Sequence, residues 1–325
     1  MFRKLLVPLD RSSFAEQALG PATAIARASG AALDLVMAHE PRPLAGSPDV
    51  AWHAEQIDGE DEYLAEIAAE LEKTASISAT HAVVPGETVN AICKRRSEVN
   101  ADLVVMTTHG RTGIKRAWIG SISDGVLRKA GVPVLLCRPS VKATRDLPFV
   151  PFRKILVLTD GSVASMGVMK SAISLAKASG AKLCILRIVQ PVQLLTVETA
   201  IPFAFPLPAE DEISTERMAR RAKIEVAETA RDMSEKYSVE IDSHVLIARE
   251  VADAIIDFAL RTNIDAIAMS THGRGASRLV LGSVADKIIH AAALPMLLQV
   301  PADKSAEVDV IVEEAEPLPA SVLSM

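Results

Sequence analysis

The chain repeats itself, and a sequence that must build one fold twice has few folds open to it. Phe2-Arg3-Lys4-Leu5-Leu6-Val7 returns as Phe152-Arg153-Lys154-Ile155-Leu156-Val157, and Ala28-Ser29-Gly30-Ala31 as Ala178-Ser179-Gly180-Ala181, each 150 residues on. Thr108-His109-Gly110-Arg111 returns as Thr271-His272-Gly273-Arg274 at an offset of 163, and Gly120-Ser121 as Gly282-Ser283 at 162. A tandem duplication accounts for these offsets. The second copy gains a net 13 residues (163 less 150) between its second strand and the loop, then loses one inside the loop.

Each copy alternates strand-like and helix-like segments. In the first copy, strands are expected over residues 5–9, 33–38, 80–84, 103–106 and 132–137. Helices are expected from Ser12 or Ser13 to about residue 29, over 53–74, over 88–99, and from Ser121 onward. Ser121 and Asp124 have the spacing of a capping box. Alternation of this kind implies right-handed βαβ units, hence an α/β fold with one doubly wound, five-stranded parallel sheet per copy. Such sheets take ligands at the carboxyl ends of their strands, near the switch in strand order. Asp10, Ala38, Gly86 and Thr107 fall at that edge. The expected organisation is a first domain over 1–140, a proline-bearing linker over 141–152, a second domain over 153–301, and an acidic tail over 302–325. Residues 308–312 of the tail have the composition of an edge strand suited to a dimer. The insertion over 190–208 carries the apolar run Ile201-Pro202-Phe203-Ala204-Phe205-Pro206-Leu207-Pro208, either a loop packed on its own domain or a contact for a partner or lipid.

Composition excludes several classes. Aromatics are 3% of a chain that is 49% hydrophobic, so the cores must be built of Ala, Val, Ile and Leu, and a base-stacking surface for single-stranded nucleic acid is not expected. A net charge of -6 argues against duplex binding. Cys93, Cys137 and Cys184 have neither pairing nor metal-ligand spacing, and read as thiols of a reducing compartment. No apolar run reaches membrane-spanning length, and Met1-Phe2-Arg3-Lys4 leads directly into a strand, so the expected location is cytoplasmic.

The chemistry centres on the stretch from Asp102 to Ser123. A strand stops at Thr107-Thr108-His109-Gly110, a loop with Arg111, Lys115 and Arg116 follows, and Gly120-Ser121 opens a helix. Strand, glycine-bearing loop and helix N-terminus together suit a phosphate: backbone N–H groups turn toward it and the helix dipole favours its charge. Hydroxyls at Ser121 and Ser123 are expected to add donors. Capping for folding alone is the other reading of these residues. Asp10, at the end of the first strand, suits the amino group of adenine or a ribose hydroxyl, or is a turn aspartate; Asp160 repeats it. His109 and His272 lack a nucleophile–carboxylate pattern and metal spacing, and read as hydrogen-bonding loop residues. The fingerprints of P-loop NTPases, dinucleotide dehydrogenases and PP-loop ligases are absent from the sequence.

On these residues the chain resembles a tandem universal stress protein over nearly all of residues 1–300. ATP-binding members of that family carry Gly-x-x-Gly, nine residues, then Gly-Ser/Thr. Here Thr107-Thr108-His109-Gly110, residues 111–119 and Gly120-Ser121 match, with Thr107 in place of the first Gly. The resemblance implies flavodoxin-like or Rossmann-like domains of the adenine nucleotide alpha hydrolase type, packed through their last strands as an intramolecular pseudo-dimer, with homodimers a further option. It implies ATP, with Mg2+, as ligand. Asp10 and backbone near Leu9 and Ala38 would hold adenine and ribose; Gly110, Gly120, Ser121 and Ser123 would hold phosphates; Pro8, Gly86, Met106, Thr107, His109, Arg111 and Ile122 would complete the site. A second site would use Asp160, Met269, His272, Gly273, Arg274, Gly282 and Ser283. That half departs from the pattern: Ser270 replaces the first Gly, eight residues replace nine, Ala285 replaces Ser123, and Arg249 aligns with Gly86. The first half is therefore expected to bind ATP and the second to bind weakly or serve structurally. The implied role is stress response or nucleotide-linked regulation with ATP as bound ligand; the alternatives are a slow ATPase, with His109 as base, and a scaffold acting through residues 201–208.

Overall fold

The computed structural model describes residues 1–40, 50–108, 119–139, 152–191, 209–271 and 282–301. The first half runs β1 (Lys4–Pro8), α1 (Ser13–Glu16), α2 (Leu19–Ser29), β2 (Ala32–His39), α3 (Val50–Ala75), β3 (Ala79–Pro85), α4 (Thr88–Glu98), β4 (Leu103–Thr107), α5 (Ser121–Lys129) and β5 (Val134–Cys137). The second runs β6 (Lys154–Thr159), α6 (Val163–Met166), α7 (Met169–Ser179), β7 (Lys182–Val189), α8 (Ala209–Tyr237), β8 (Ile241–Ile247), α9 (Val251–Arg261), β9 (Ala266–Ser270), α10 (Ser283–Ala291) and β10 (Met296–Gln299). β4 and β5 are buried along their whole length, as continuous apolar runs must be when helices cover both sheet faces. Gly30 and Gly180 end α2 and α7 at φ 66° and 67°, a left-handed turn that glycine adopts without strain.

One expected helix is two. Ser12 caps α1, its Oγ accepting from Ala15 N at 3.1 Å, but α1 stops at Glu16 and α2 restarts at Leu19. Pro21 lies in the first turn of α2, where its missing N–H costs nothing.

Within each half the strands are parallel and ordered 3-2-1-4-5; of the two doubly wound types, this is the Rossmann order. The two five-stranded sheets meet through their last strands, as expected, and run on as one. β5 pairs antiparallel with β10, giving a ten-stranded sheet of order β3-β2-β1-β4-β5-β10-β9-β6-β7-β8. Leu135 faces Leu297, its own counterpart 162 residues on, with Leu136 on Met296 and Val134 on Leu298. That register is symmetric about an approximate twofold axis. α2 packs on α7 across the join, and on each sheet face a single apolar cluster runs through both halves.

Some internal devices repeat and others do not. Asp102 accepts from Arg3 N and Lys4 N, and Asp265 from Arg153 N and Lys154 N, so a carboxylate ties the first strand to the fourth in each half. By contrast, fully buried Asp34 receives Arg95 through Nε and Nη2, both at 2.8 Å, and Thr80 Oγ1 at 2.6 Å. The bond to Asp34 holds the Arg95 guanidinium above its usual range. Cys184 and Phe258 stand at the matching places in the second half, inside an apolar cluster. The three cysteines are free thiols; burial pushes Cys137 up to about 12 and Cys184 to about 11. Among the described residues no helix is long and apolar enough to cross a membrane.

Removing one partner of a buried ion pair leaves an uncompensated charge, typically about 3–5 kcal/mol. Arg95→Ala is expected to cost that order in urea unfolding. Asp34→Cys/Arg95→Phe, which installs the second half's solution, is expected to recover more than half of it.

Candidate functional site

The switch in strand order falls between β1 and β4, and a cavity of about 650 Å3 lies there. Ligand sites span roughly 300–1,000 Å3. Three strand ends build its floor: Pro8 of β1 with Leu9 and Asp10 after it, Val36 to His39 from β2, and Met106 and Thr107 from β4. The start of α5 (Gly120, Ser121, Ile122, Ser123) closes one side and α3 the other. Leu9, Met37, Ile92 and Met106 give the cavity an apolar slot; Asp10, Glu40 and Glu60 give it carboxylates.

The N-terminus of α5 differs from the sequence expectation in a way that suits an anion. Its N-cap is Gly120, not Ser121, and among the described residues no side chain caps it. Asp124, the other half of the expected capping box, instead accepts from Arg128 Nε at 2.9 and 3.0 Å, which offsets its charge. Gly120 N donates to Thr108 O at 2.8 Å and pins the neck of the intervening loop; a Cβ at Gly120 would come within 3.1 Å of that oxygen. The neighbouring helix N-termini are already served. Ser12 caps α1. Glu87 accepts from Val89 N and Asn90 N, and Glu40 from Thr88 N, at α4. Carboxylates there offset the dipole end that a phosphate would seek, so of the three helix starts around the cavity α5 is the one suited to an incoming anion.

Ser123 is not a donor to the cavity. Its hydroxyl is buried and donates to Thr107 O at 3.0 Å, tying α5 to the end of β4. Asp10 fulfils its turn role, Oδ1 accepting from Ser12 N at 3.0 Å and Ser12 Oγ at 2.5 Å, and lines the cavity as well. Ala38, Met106, Thr107 and Ile122 line it as expected. Gly86 does not. At φ 130° it turns the chain after β3, and its N–H donates to His39 O at 3.0 Å. His109, Gly110, Arg111, His272, Gly273 and Arg274 lie outside the described residues, as does the apolar segment 201–208.

α3 brings residues the sequence did not announce. His39, at the end of β2, places Nδ1 2.9 Å from Glu60 Oε2 and Nε2 3.2 Å from His53 Nδ1, its ring at right angles to that of His53. An ionised carboxylate only accepts, so the bond to Glu60 places a hydrogen on Nδ1 of His39. His53, Gln56 and Glu60 follow one helix face that continues through buried Leu64, Ile67 and Leu71. The change from apolar to polar along that face is the signal that locates this wall.

In the second half, Asp160 Oδ1 accepts from Ser162 N at 2.8 Å, Met269 is buried, and α10 begins at Ser283 after an uncapped Gly282 whose N–H donates to Thr271 O. Strand register corrects one alignment. Gly86 N bonds the carbonyl of His39, and Ala248 N bonds that of Val189, the counterpart of His39. Ala248 therefore matches Gly86, and exposed Arg249 is the residue inserted before α9. Among the described residues no group of three or more His, Cys, Asp or Glu could hold a metal ion.

The fold is thus an α/β fold built twice over, and its first half has, at the switch of a doubly wound sheet, a cavity lined by a helix start and by carboxylates. The chain belongs to the universal stress protein family, whose model matches residues 1–138 and 151–301. A universal stress protein of Mycobacterium tuberculosis is 25% identical over 199 residues, and the match spans 61% of each chain. One from Thermus aquaticus is 33% identical over 140 residues, covering 42% of this chain and all of its own. The crystal structure of a universal stress protein from Archaeoglobus fulgidus covers 92% of this chain and 97% of its own at 19% identity and a TM-score of 0.61, which establishes a shared fold.

The corrected cap makes a prediction. Ser121→Ala is expected to change stability by less than about 0.5 kcal/mol in urea titration, where loss of a true serine cap costs about 1 kcal/mol. Ser123→Ala, which breaks the buried bond to Thr107 O, is expected to cost about 1 kcal/mol.

Proposed function

We propose that this tandem universal stress protein binds ATP in its first half and acts in the cytoplasm in stress response or nucleotide-linked regulation. Residues 1–140 and 153–301 are its two domains, held as an intramolecular pseudo-dimer. The observation that carries the reading is the cavity at the β1/β4 switch, lined both by the glycine-capped start of α5 and by Asp10. Adenine lies in the slot of Leu9, Met37, Ile92 and Met106. Its amino group or a ribose hydroxyl donates to Asp10, and the phosphates run to Gly120 and Ser121 on the positive end of α5. The reverse orientation would set phosphates against Asp10, Glu40 and Glu60, at a cost in like-charge repulsion. An accompanying Mg2+ would be held chiefly by phosphate and water, as that ion prefers. ATP acts as a switch to the extent that it favours one arrangement of the chain over another.

Calorimetric titration tests this. Wild type is expected to bind ATP, and Asp10→Ala to weaken binding roughly 10- to 100-fold, the loss of one charge-assisted hydrogen bond. Thermal unfolding of the variant checks that it folds. No heat of binding with wild type, or unchanged affinity in folded Asp10→Ala, contradicts the proposal.

A further inference from the structure

At the matching edge of the second half, side chains pack over the turn that follows the first strand. Arg187 pairs with Thr159 at the end of β6; 150 residues earlier its counterpart is Met37, the residue after the last pair of β1 with β2, Pro8 with Val36. Met37 lines the hollow of the first half. The Arg187 guanidinium instead lies over the turn after β6, so close that a Cβ on Gly161 would meet its carbon and nitrogens at 2.7 to 2.9 Å. Nη1 donates to Glu225 Oε2 of α8 at 2.7 Å, and the Arg187 side chain is only 16% exposed. That bond, with a second from Arg221, holds the Glu225 carboxyl below its usual range.

The replacements around Arg187 are complementary. Gly161 has φ 83°, and its counterpart Arg11, also left-handed at 64°, is exposed and carries its guanidinium 5.8 Å from the ring of Tyr63 on α3. Tyr63 corresponds to Glu225, counting 162 residues as between Ser76 and Ser238, which follow α3 and α8 in the same left-handed conformation. On the same count Glu60 becomes Ala222, and on the 150-residue count of the first two strands His39 becomes Val189. Val189, Ala219 and Ala222 are buried together in an apolar cluster of their own. Polar groups that face a cavity in one half are packed side chains in the other.

We infer that Arg187 is the built-in occupant of the second cleft: its guanidinium, clamped between Gly161 and Glu225, takes the space a ligand would use, and the chain has one nucleotide site. The count of nucleotides rests on the proposed reading of the first half; the filling of the second cleft does not.

Chemical rescue tests the occupancy directly. Arg187→Ala is expected to lower Tm, and millimolar methylguanidinium to restore part of the loss, because the planar fork fits Glu225. Methylammonium at the same concentration is expected to restore less, and Glu225→Gln to abolish the difference between the two cations. An unchanged Tm, or equal effects of both cations, overturns the inference. A double-mutant cycle with Arg187→Met, which installs the first half's residue, guards against a variant that fails to fold. The Tm loss caused by Gly161→Ala is expected to shrink by at least half in that background; additive losses overturn the inference. ATP stoichiometry completes the set. One nucleotide per wild-type chain, unaffected by Asp160→Ala, is expected, and two per chain overturns the inference. No nucleotide at all retires the reading of the first half and leaves the cleft to be judged by rescue and cycle.

Discussion

The antiparallel pairing of β5 with β10 is the contact on which the rest of the structure depends. Each half ends on a short strand buried on both faces, an edge that would otherwise expose unpaired backbone groups. Pairing the two edges about Leu135 and Leu297 removes both at once and fuses two five-stranded sheets into one. It also makes Phe2 and Phe152, buried at the start of each half, members of one apolar cluster. The edges left at the ends of the sheet, β3 and β8, are partly exposed along most of their length.

Duplication under this constraint divides the residues into two kinds. Those that hold the sheet together repeat: Asp102 with Asp265, Gly30 with Gly180, Ser12 with Ser162. Those that decide what a half contains diverge, and in compensating groups. Asp34 with Arg95 is exchanged for Cys184 with Phe258, and Arg11, Met37 and Tyr63 for Gly161, Arg187 and Glu225. A half joined to a working neighbour is stabilised whether or not it keeps a hollow, and closing the hollow adds packing. The first half keeps a polar-walled cavity instead, where His39 bonds both Glu60 and His53 and the N-cap of α5 is a glycine.

What could be read from the sequence follows from range. The apolar runs of β1 and β4 and the glycines that end α2 and α7 are local signals, and the structure has them where they were expected. So does the edge at which Asp10, Ala38 and Thr107 meet, because parallel βαβ units bring carboxyl ends of strands together whatever the helices do. The cap of α5 slipped by one residue because adjacent Gly120 and Ser121 both suit an N-cap, and only backbone geometry chooses between them. Counting back from α9 matches Arg249 to Gly86, because an insertion shifts the count by one, and only the strand register shows on which side of it each residue falls. The His39–Glu60–His53 wall and the Arg187–Gly161 fit were not legible at all. Both depend on side chains 14 to 26 residues apart meeting across a cleft, and no local pattern records that.

The central claim, one nucleotide site in a chain with two copies of the fold, is tested most directly by hydrogen–deuterium exchange with and without saturating ATP. Slower exchange is expected in peptides covering residues 8–12, 36–40, 104–108 and 119–126, with no change in their counterparts over 158–162, 186–190, 267–271 and 282–288. Equal slowing in both halves, or slowing confined to the second, would contradict the account.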